Sequence, residues 1–424
     1  MLVMALLVLG GAGFGAWYMF VGSSSNNVYW SVPAVKQGDM SNGQLMPETR
    51  GTWFTDEAVV HVLPDGIKAY DIDNGKELWG TPLPGDSNQT CVAPENSNGD
   101  IGVVAYGAGR VCDHLVAYDL NTGKAAWDKA LHPGEDALPS DISVARTEDV
   151  VVVTAGNAAL ALKASDGKAA WDPKRSATSE CRTGRFTGGK ALIRVRGCIS
   201  EDFKTEWNEV SLIDPATGKA QWTYRHEAPD GSQELDNAGV ISTSPIVLAR
   251  QEPKQKALFA LDDKTGKVRS EFSPAQPARY VQTQDAEGSP WSEAGAFGDT
   301  FVISVTDEKN RALLVAYDLD SGKQLWKTEP EEFKSYHPLP AAGSDRILVY
   351  MTKSGNDAGP ELVEFGAQDG AMSTVVEYPE DVDKGMSTFA RPYWNEDRLY
   401  VSVVNHTTTF DEESYSLVAL PATD

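Results

Sequence analysis

Short apolar, β-branched runs recur along the chain at 59–63, 150–154, 191–195, 301–305 and 347–351. Each is too short for a helix and is bounded by turn-forming residues, so each predicts a strand. A further strand precedes each run through a short polar turn: Thr55-Asp56-Glu57, Thr147-Glu148-Asp149, Thr187-Gly188-Gly189-Lys190, Gly343-Ser344-Asp345 and Asn395-Glu396-Asp397. Downstream of most runs comes a third apolar stretch that ends in a glycine turn and leads into a fourth strand.

The glycine turn is a repeated motif. It reads Ala69-Tyr-Asp-Ile-Asp-Asn-Gly75-Lys-Glu-Leu-Trp79 and Ala117-Tyr-Asp-Leu-Asn-Thr-Gly123-Lys-Ala-Ala-Trp127, then Ala161-Leu-Lys-Ala-Ser-Asp-Gly167-Lys-Ala-Ala-Trp171 and Leu212-Ile-Asp-Pro-Ala-Thr-Gly218-Lys-Ala-Gln-Trp222. It returns as Ala260-Leu-Asp-Asp-Lys-Thr-Gly266-Lys, as Ala316-Tyr-Asp-Leu-Asp-Ser-Gly322-Lys-Gln-Leu-Trp326, and in worn form at Asp369-Gly370. Successive glycines are 48, 44, 51, 48, 56 and 48 residues apart. Glycine supplies the left-handed turn conformation, the aspartate four residues earlier accepts local backbone hydrogen bonds, and the tryptophan fills the gap between neighbouring units. Four strands per unit with a period near 50 predicts an all-β propeller of four-stranded blades.

Seven glycine motifs give seven blades, and the chain continues into strands at 398–404 and 415–420. That last set lacks a tryptophan-bearing outer strand. Residues 28–32, Val-Tyr-Trp-Ser-Val, resemble the missing piece, so Trp30 is expected to close an eight-bladed ring by pairing with 415–420. An open ring would expose an unpaired edge. Ser270 and Thr374 stand where the fifth and seventh copies would carry tryptophan, and those junctions are expected to pack differently.

Residue by residue, the motif resembles the PQQ-type repeat, whose signature runs Ala-x-Asp-x-x-Thr-Gly-x-x-x-Trp. The resemblance covers nearly all of 28–424 and is shared with BamB-like propellers and quinoprotein alcohol dehydrogenases. It implies that Trp79, Trp127, Trp171, Trp222 and Trp326 interlock blades. The quinoprotein enzymes hold their cofactor under a disulfide between adjacent cysteines, with calcium and an aspartate base. This chain has no adjacent cysteines and no Cys-x-x-Cys-His.

The domain division follows. Residues 2–21 carry no charge and are long enough to span a bilayer. Residues 1–22 are therefore expected to be a transmembrane anchor, with a cleaved signal sequence as the rival reading; 23–27 form a short polar linker and 28–424 the propeller. Of the four cysteines, Cys91 and Cys112 lie in one repeat and Cys181 and Cys198 in another. This placement predicts two bridges within blades. The alternatives are four buried thiols or a zinc site, for which ligand spacing is lacking. Disulfides imply the extracytoplasmic side of a membrane.

The balance of 37 basic and 61 acidic residues gives a net charge of −24, which repels nucleic acid. Catalytic constellations are lacking. Residues 184–191 nearly match a phosphate-binding loop, but Ala191 replaces the magnesium-binding hydroxyl and a strand follows where a helix is needed. The sequence Asp71-Ile-Asp73-Asn-Gly75 departs from a calcium loop at the glycine and at Pro82. His61, His114, His132, His226, His337 and His406 show no ligand spacing. The expectation is a non-catalytic binding, scaffold or sensor module without cofactor or metal, bound to a protein or small ligand. A quinone-dependent oxidoreductase is the alternative. In such a meander the turns between strands 1 and 2 and between 3 and 4 share one end and read as uniformly short. The other end carries the long segments 199–209, 224–238, 273–293, 353–361 and 405–414, and the partner site is expected there.

Overall fold

The computed structural model describes residues 28–36, 49–85, 88–94, 99–108, 112–131, 142–155, 158–172, 180–227, 238–251, 256–272, 293–332, 334–340, 346–353, 359–380, 382, 390–403, 407–408 and 415–422. These build eight four-stranded antiparallel sheets arranged as propeller blades. Blade 1 comprises Gly51–Phe54, Ala58–Leu63, Gly66–Asp71 and Glu77–Pro82; blade 2 comprises Asn88–Val92, Ile101–Ala108, His114–Asp119 and Ala125–Ala130. Blade 3 holds Ile142–Arg146, Val150–Ala155, Ala158–Lys163 and Ala169–Trp171, and blade 4 holds Arg185–Thr187, Leu192–Ile199, Glu206–Ile213 and Ala220–Glu227. Blades 5, 6 and 7 begin at Ala238–Thr243, Ala294–Phe297 and Lys334–Pro338 and end at Val268–Phe272, Gln324–Lys327 and Met372–Glu377.

Blade 8 takes Ala390–Asn395, Arg398–Val403 and Tyr415–Pro421 from the end of the chain and its outer strand, Trp30–Pro33, from the beginning. Trp30 lies opposite Ala419, and Val32 opposite Leu417. A short parallel pair, Val35–Lys36 with Thr407–Thr408, reinforces the closure.

The core is a set of seams between blades. Eight hydrophobic clusters each draw on two neighbouring blades, and the last joins Trp30, Tyr400, Leu417 and Ala419 of blade 8 to Val59 and Tyr70 of blade 1. Central strands face a neighbour on both sides and are buried along nearly their whole length, as in Ala58–Leu63, where only Leu63 is partly exposed; outer strands such as Glu77–Pro82 alternate with solvent. Tryptophan locks the seams. Trp30, Trp79, Trp127, Trp171, Trp222 and Trp326 lie on Gly75, Gly123, Gly167, Gly218, Gly266 and Gly370 of the next blade. Gly75 has φ +70°, and a Cβ there would sit 2.5 Å from Trp30 Cε3, so glycine serves both the turn and the stacking.

Five indole N–H groups donate to the carbonyl three residues before the glycine they cover: Trp30 to Ile72 (3.1 Å), Trp127 to Ala164 (2.7 Å), Trp171 to Pro215 (2.8 Å), Trp222 to Asp263 (2.9 Å) and Trp326 to Ala367 (3.0 Å). Ser270 makes the same bond without the ring, its Oγ donating to Leu319 O at 2.6 Å beside Gly322. A Phe272–Tyr317 stack with centroids 4.7 Å apart lies at that seam. Thr374 is exposed on blade 7's outer strand.

Both bridges form within blades, Cys91 with Cys112 and Cys181 with Cys198. The turns between strands 1 and 2 are not uniformly short: 93–100 in blade 2 and 339–346 in blade 7 intervene. At Pro94 the chain meets blade 1, where Trp53 Nε1 donates to Pro94 O at 2.7 Å. The expected anchor and linker, residues 1–27, lie outside the described residues, as do His132 and His406. Among the described residues no helix is long and apolar enough to cross a membrane.

Candidate functional site on blade 4

Among the described residues, blade 4 carries a long hairpin on the face of the blade-to-blade connections. Its three outer strands each run eight residues, whereas the outer strand of blade 3 has three. Residues 199–209, expected as an irregular loop, are in part ladder: pairing continues to Ile199 opposite Glu206 and takes in 206–209. Extended strands satisfy their own backbone groups, which open loops of that length leave to water. Of the other expected loops, 273–292, 354–358 and 409–414 lie outside the described residues, and Tyr224 to Glu227 belongs to blade 4's outer strand.

Only 200–205 forms the tip. Ser200 Oγ accepts from the backbone N–H of Lys204 (3.2 Å) and Thr205 (2.9 Å) and donates to Asp202 Oδ1 (2.7 Å). The Ser200 hydroxyl and Lys204 hold the Asp202 carboxyl below the usual range. These bonds fix Phe203 at φ 57° with 77% of its surface exposed. A bulky side chain in left-handed backbone is a strained arrangement that only a well-braced turn sustains.

Beneath the tip is a built platform. The Cys181–Cys198 bridge packs against buried Trp207, and the Arg225 guanidinium lies 3.9 Å above that indole. Trp207 Nε1 donates to Glu209 Oε1 at 3.1 Å, while Arg196 Nε and Nη2 donate to Oε2 at 2.9 and 2.6 Å. Burial alone would push the Glu209 carboxyl up, but the indole N–H and Arg196, with the charge of Arg194, hold it below its usual value. Among the described residues, Cys181, Cys198 and Glu209 alone have metal-ligand spacing, and their sulfurs are bonded to one another, leaving no thiolate for an ion.

The predicted Cys181 and Cys198 thus meet at this platform, and Cys91 with Cys112 staples blade 2 on the same face. The repeat tryptophans and glycines lie in the seams and do not converge on a pocket. Phe203, Trp207, Glu209 and Arg225 went unread in the sequence. The available signal was Trp207, a tryptophan off the repeat position.

Residues 23–200, 115–254, 203–373 and 254–405 match the family of PQQ repeats described as outer membrane protein assembly factor BamB. Comparison with curated proteins finds no match. Among solved structures, the C-terminal WD40 domain of Sif2 is 8% identical over 94% of this chain and 99% of its own, with a TM-score of 0.50. Quinohemoprotein alcohol dehydrogenase from Comamonas testosteroni is 14% identical over 89% of this chain and 67% of its own, with a TM-score of 0.39. Dihydro-heme d1 dehydrogenase NirN is 13% identical over 93% and 78%, with a TM-score of 0.42. At such identities the first likeness speaks to the fold alone.

Proposed function

The chain belongs to the PQQ-repeat family described as outer membrane protein assembly factor BamB, and from that premise we propose that it is a non-catalytic binding or scaffold module. In this reading residues 1–22 anchor it in a membrane, the propeller stands on the extracytoplasmic side, and a protein partner docks on the face of the blade connections. The observation that carries the reading is Phe203. Its exposure and left-handed backbone both cost stability, and a bonded turn above a disulfide-stapled platform maintains them. Aromatic residues, phenylalanine among them, are enriched at the cores of protein interfaces.

Site-specific photo-crosslinking tests this. A crosslinking residue at position 203 is expected to trap one partner in intact membranes, and Phe203→Ala in the otherwise native chain to lose co-purification of that partner. A crosslinker at Asp56, on the opposite face, is expected to trap none. Equal trapping at both positions, or a partner retained by Phe203→Ala, would place the site elsewhere. The oxidoreductase alternative is separated by the absorbance spectrum of the purified chain with and without added quinone and calcium; a new bound-quinone band would overturn the non-catalytic reading.

A further inference from the structure

The seam between blades 3 and 4 changes character along its height. Toward the short-turn end, Ala145, Val150, Val152, Phe186, Leu192 and Ile213 make one apolar cluster. Residues two apart on a strand share a face. One step toward the blade-connection face, therefore, the same two surfaces carry Ser143 and Thr154 from blade 3 and Arg194 and Ser211 from blade 4. Ser143 lies opposite Thr154 and Arg194 opposite Ser211. All four are buried, with exposures of 8%, 6%, 4% and 0% in the order Ser143, Thr154, Arg194, Ser211.

The chemistry there is that of donors. Arg194 Nε is buried with no hydrogen-bond partner among the described residues. The Ser143 and Thr154 hydroxyls are 2.6 Å apart, and those of Ser211 and Thr223 are 2.9 Å apart. Each hydroxyl pair consumes one of its two protons internally and keeps one to give. The neighbouring carboxylate is committed elsewhere: both Glu209 oxygens already accept from Arg196 and Trp207. One carboxylate, Glu209, faces two guanidiniums, Arg194 and Arg196, so the group keeps one net positive charge in a buried place. Burial, and then the charge of Arg196, outweigh the attraction of Glu209 and bring the Arg194 guanidinium down to about 10, still protonated at neutral pH. A buried excess of positive charge is strongly unfavourable, and an anion that joins it offsets the cost.

We propose that the seam between blades 3 and 4 binds a small monocarboxylate, held on the Nε edge of Arg194 and by the spare hydroxyl protons beside it. One uncompensated positive charge matches a monoanion and leaves a phosphate dianion half unneutralised. A chain of net charge −24 also resists the extra negative charge. The depth of Arg194 restricts entry to small molecules. The proposal is independent of the docking role given to Phe203, because the two sites share no residue.

The full chain in detergent micelles is titrated with sodium acetate against sodium chloride at equal ionic strength, with sodium phosphate as a third arm, and read by unfolding midpoint and by calorimetry. Acetate is expected to raise the midpoint progressively beyond chloride and to give a saturable heat. Arg194→Met, an unbranched side chain that fits the seam without charge, is expected to lose at least tenfold in acetate affinity. Its midpoint without acetate should equal or exceed that of the native chain, which a purely structural arginine would not allow. Should Arg194→Met fail to fold, Ser211→Ala supplies the test, with acetate affinity falling several-fold. Acetate and chloride acting alike on the native chain would overturn the site, as would phosphate binding more tightly than acetate or an unchanged response in the variants.

Discussion

Replacing Trp30 by alanine tests the ring closure directly. Trp30 is 7% exposed, covers Gly75 of blade 1, donates to Ile72 O and lies 5.9 Å from the Tyr400 ring. Arg398 strengthens the same seam, reaching Ile72 O at 2.8 Å and Asp73 Oδ1 at 2.8 Å. Truncating a buried tryptophan costs about 3–5 kcal/mol in transfer and cavity terms. With an unfolding entropy of ~2.1 cal/mol/K per residue, roughly 400 cooperatively folded residues give about 0.8 kcal/mol/K, so 4 kcal/mol lowers the midpoint by about 5 °C. Ser270 shows that a hydroxyl alone can serve the carbonyl at a seam, so Trp30→Ser should recover about 1 kcal/mol of that loss. The assays are thermal unfolding and hydrogen exchange over Tyr415–Pro421, which should lose protection before the other blades as the edge opens. A midpoint within about 1 °C of the native chain, with protection of that strand unchanged, would refute the closure as the source of stability.

The two disulfides close sequence separations of 21 and 17 residues, and chain-entropy estimates give each about 3 kcal/mol. Cys181→Ser with Cys198→Ser should therefore lower the urea midpoint and make the 200–205 tip protease-sensitive, whereas bridges without influence would leave both unchanged. Burial raises the Glu293 carboxyl from 4.5 to about 7. The folded state thus keeps a proton that the unfolded state releases, and stability falls as pH rises from 4.5 toward 7, by no more than about 3 kcal/mol. Glu293→Gln should flatten that part of the stability profile, and an unchanged slope would assign it to other groups. Gly123→Ala adds a Cβ 2.5 Å from Trp79 Cε3 at φ +68°. It should cost more than the ~1–2 kcal/mol of left-handed alanine alone, read as a shift in urea midpoint. Phe203→Gly relieves the backbone of an exposed residue and should raise stability by about 1 kcal/mol, opposite in sign to a core truncation.

The ring was legible in the sequence because its signals are local and repeated. Asp71, Gly75 and Trp79 stand within one turn and one strand, and each copy repeats a demand on φ, hydrogen bonding and packing that few residue types meet. Trp30 was legible by the same logic, as a strand that lacked its turn matched to a turn that lacked its strand. The candidate sites were not legible in this way. Phe203 reads as a chance aromatic in a polar stretch until the register carries the ladder to Ile199 and Glu206 and leaves it on a six-residue tip. Arg194 reads as one of several arginines on an alternating strand. Its isolation depends on Glu209 being taken by Arg196 and Trp207, and on blade 3 presenting hydroxyls across the seam. Repetition in the chain fixes what every blade shares, whereas strand length and the pairing of faces between blades, set by residues about fifty positions apart, decide where one blade departs from the rest.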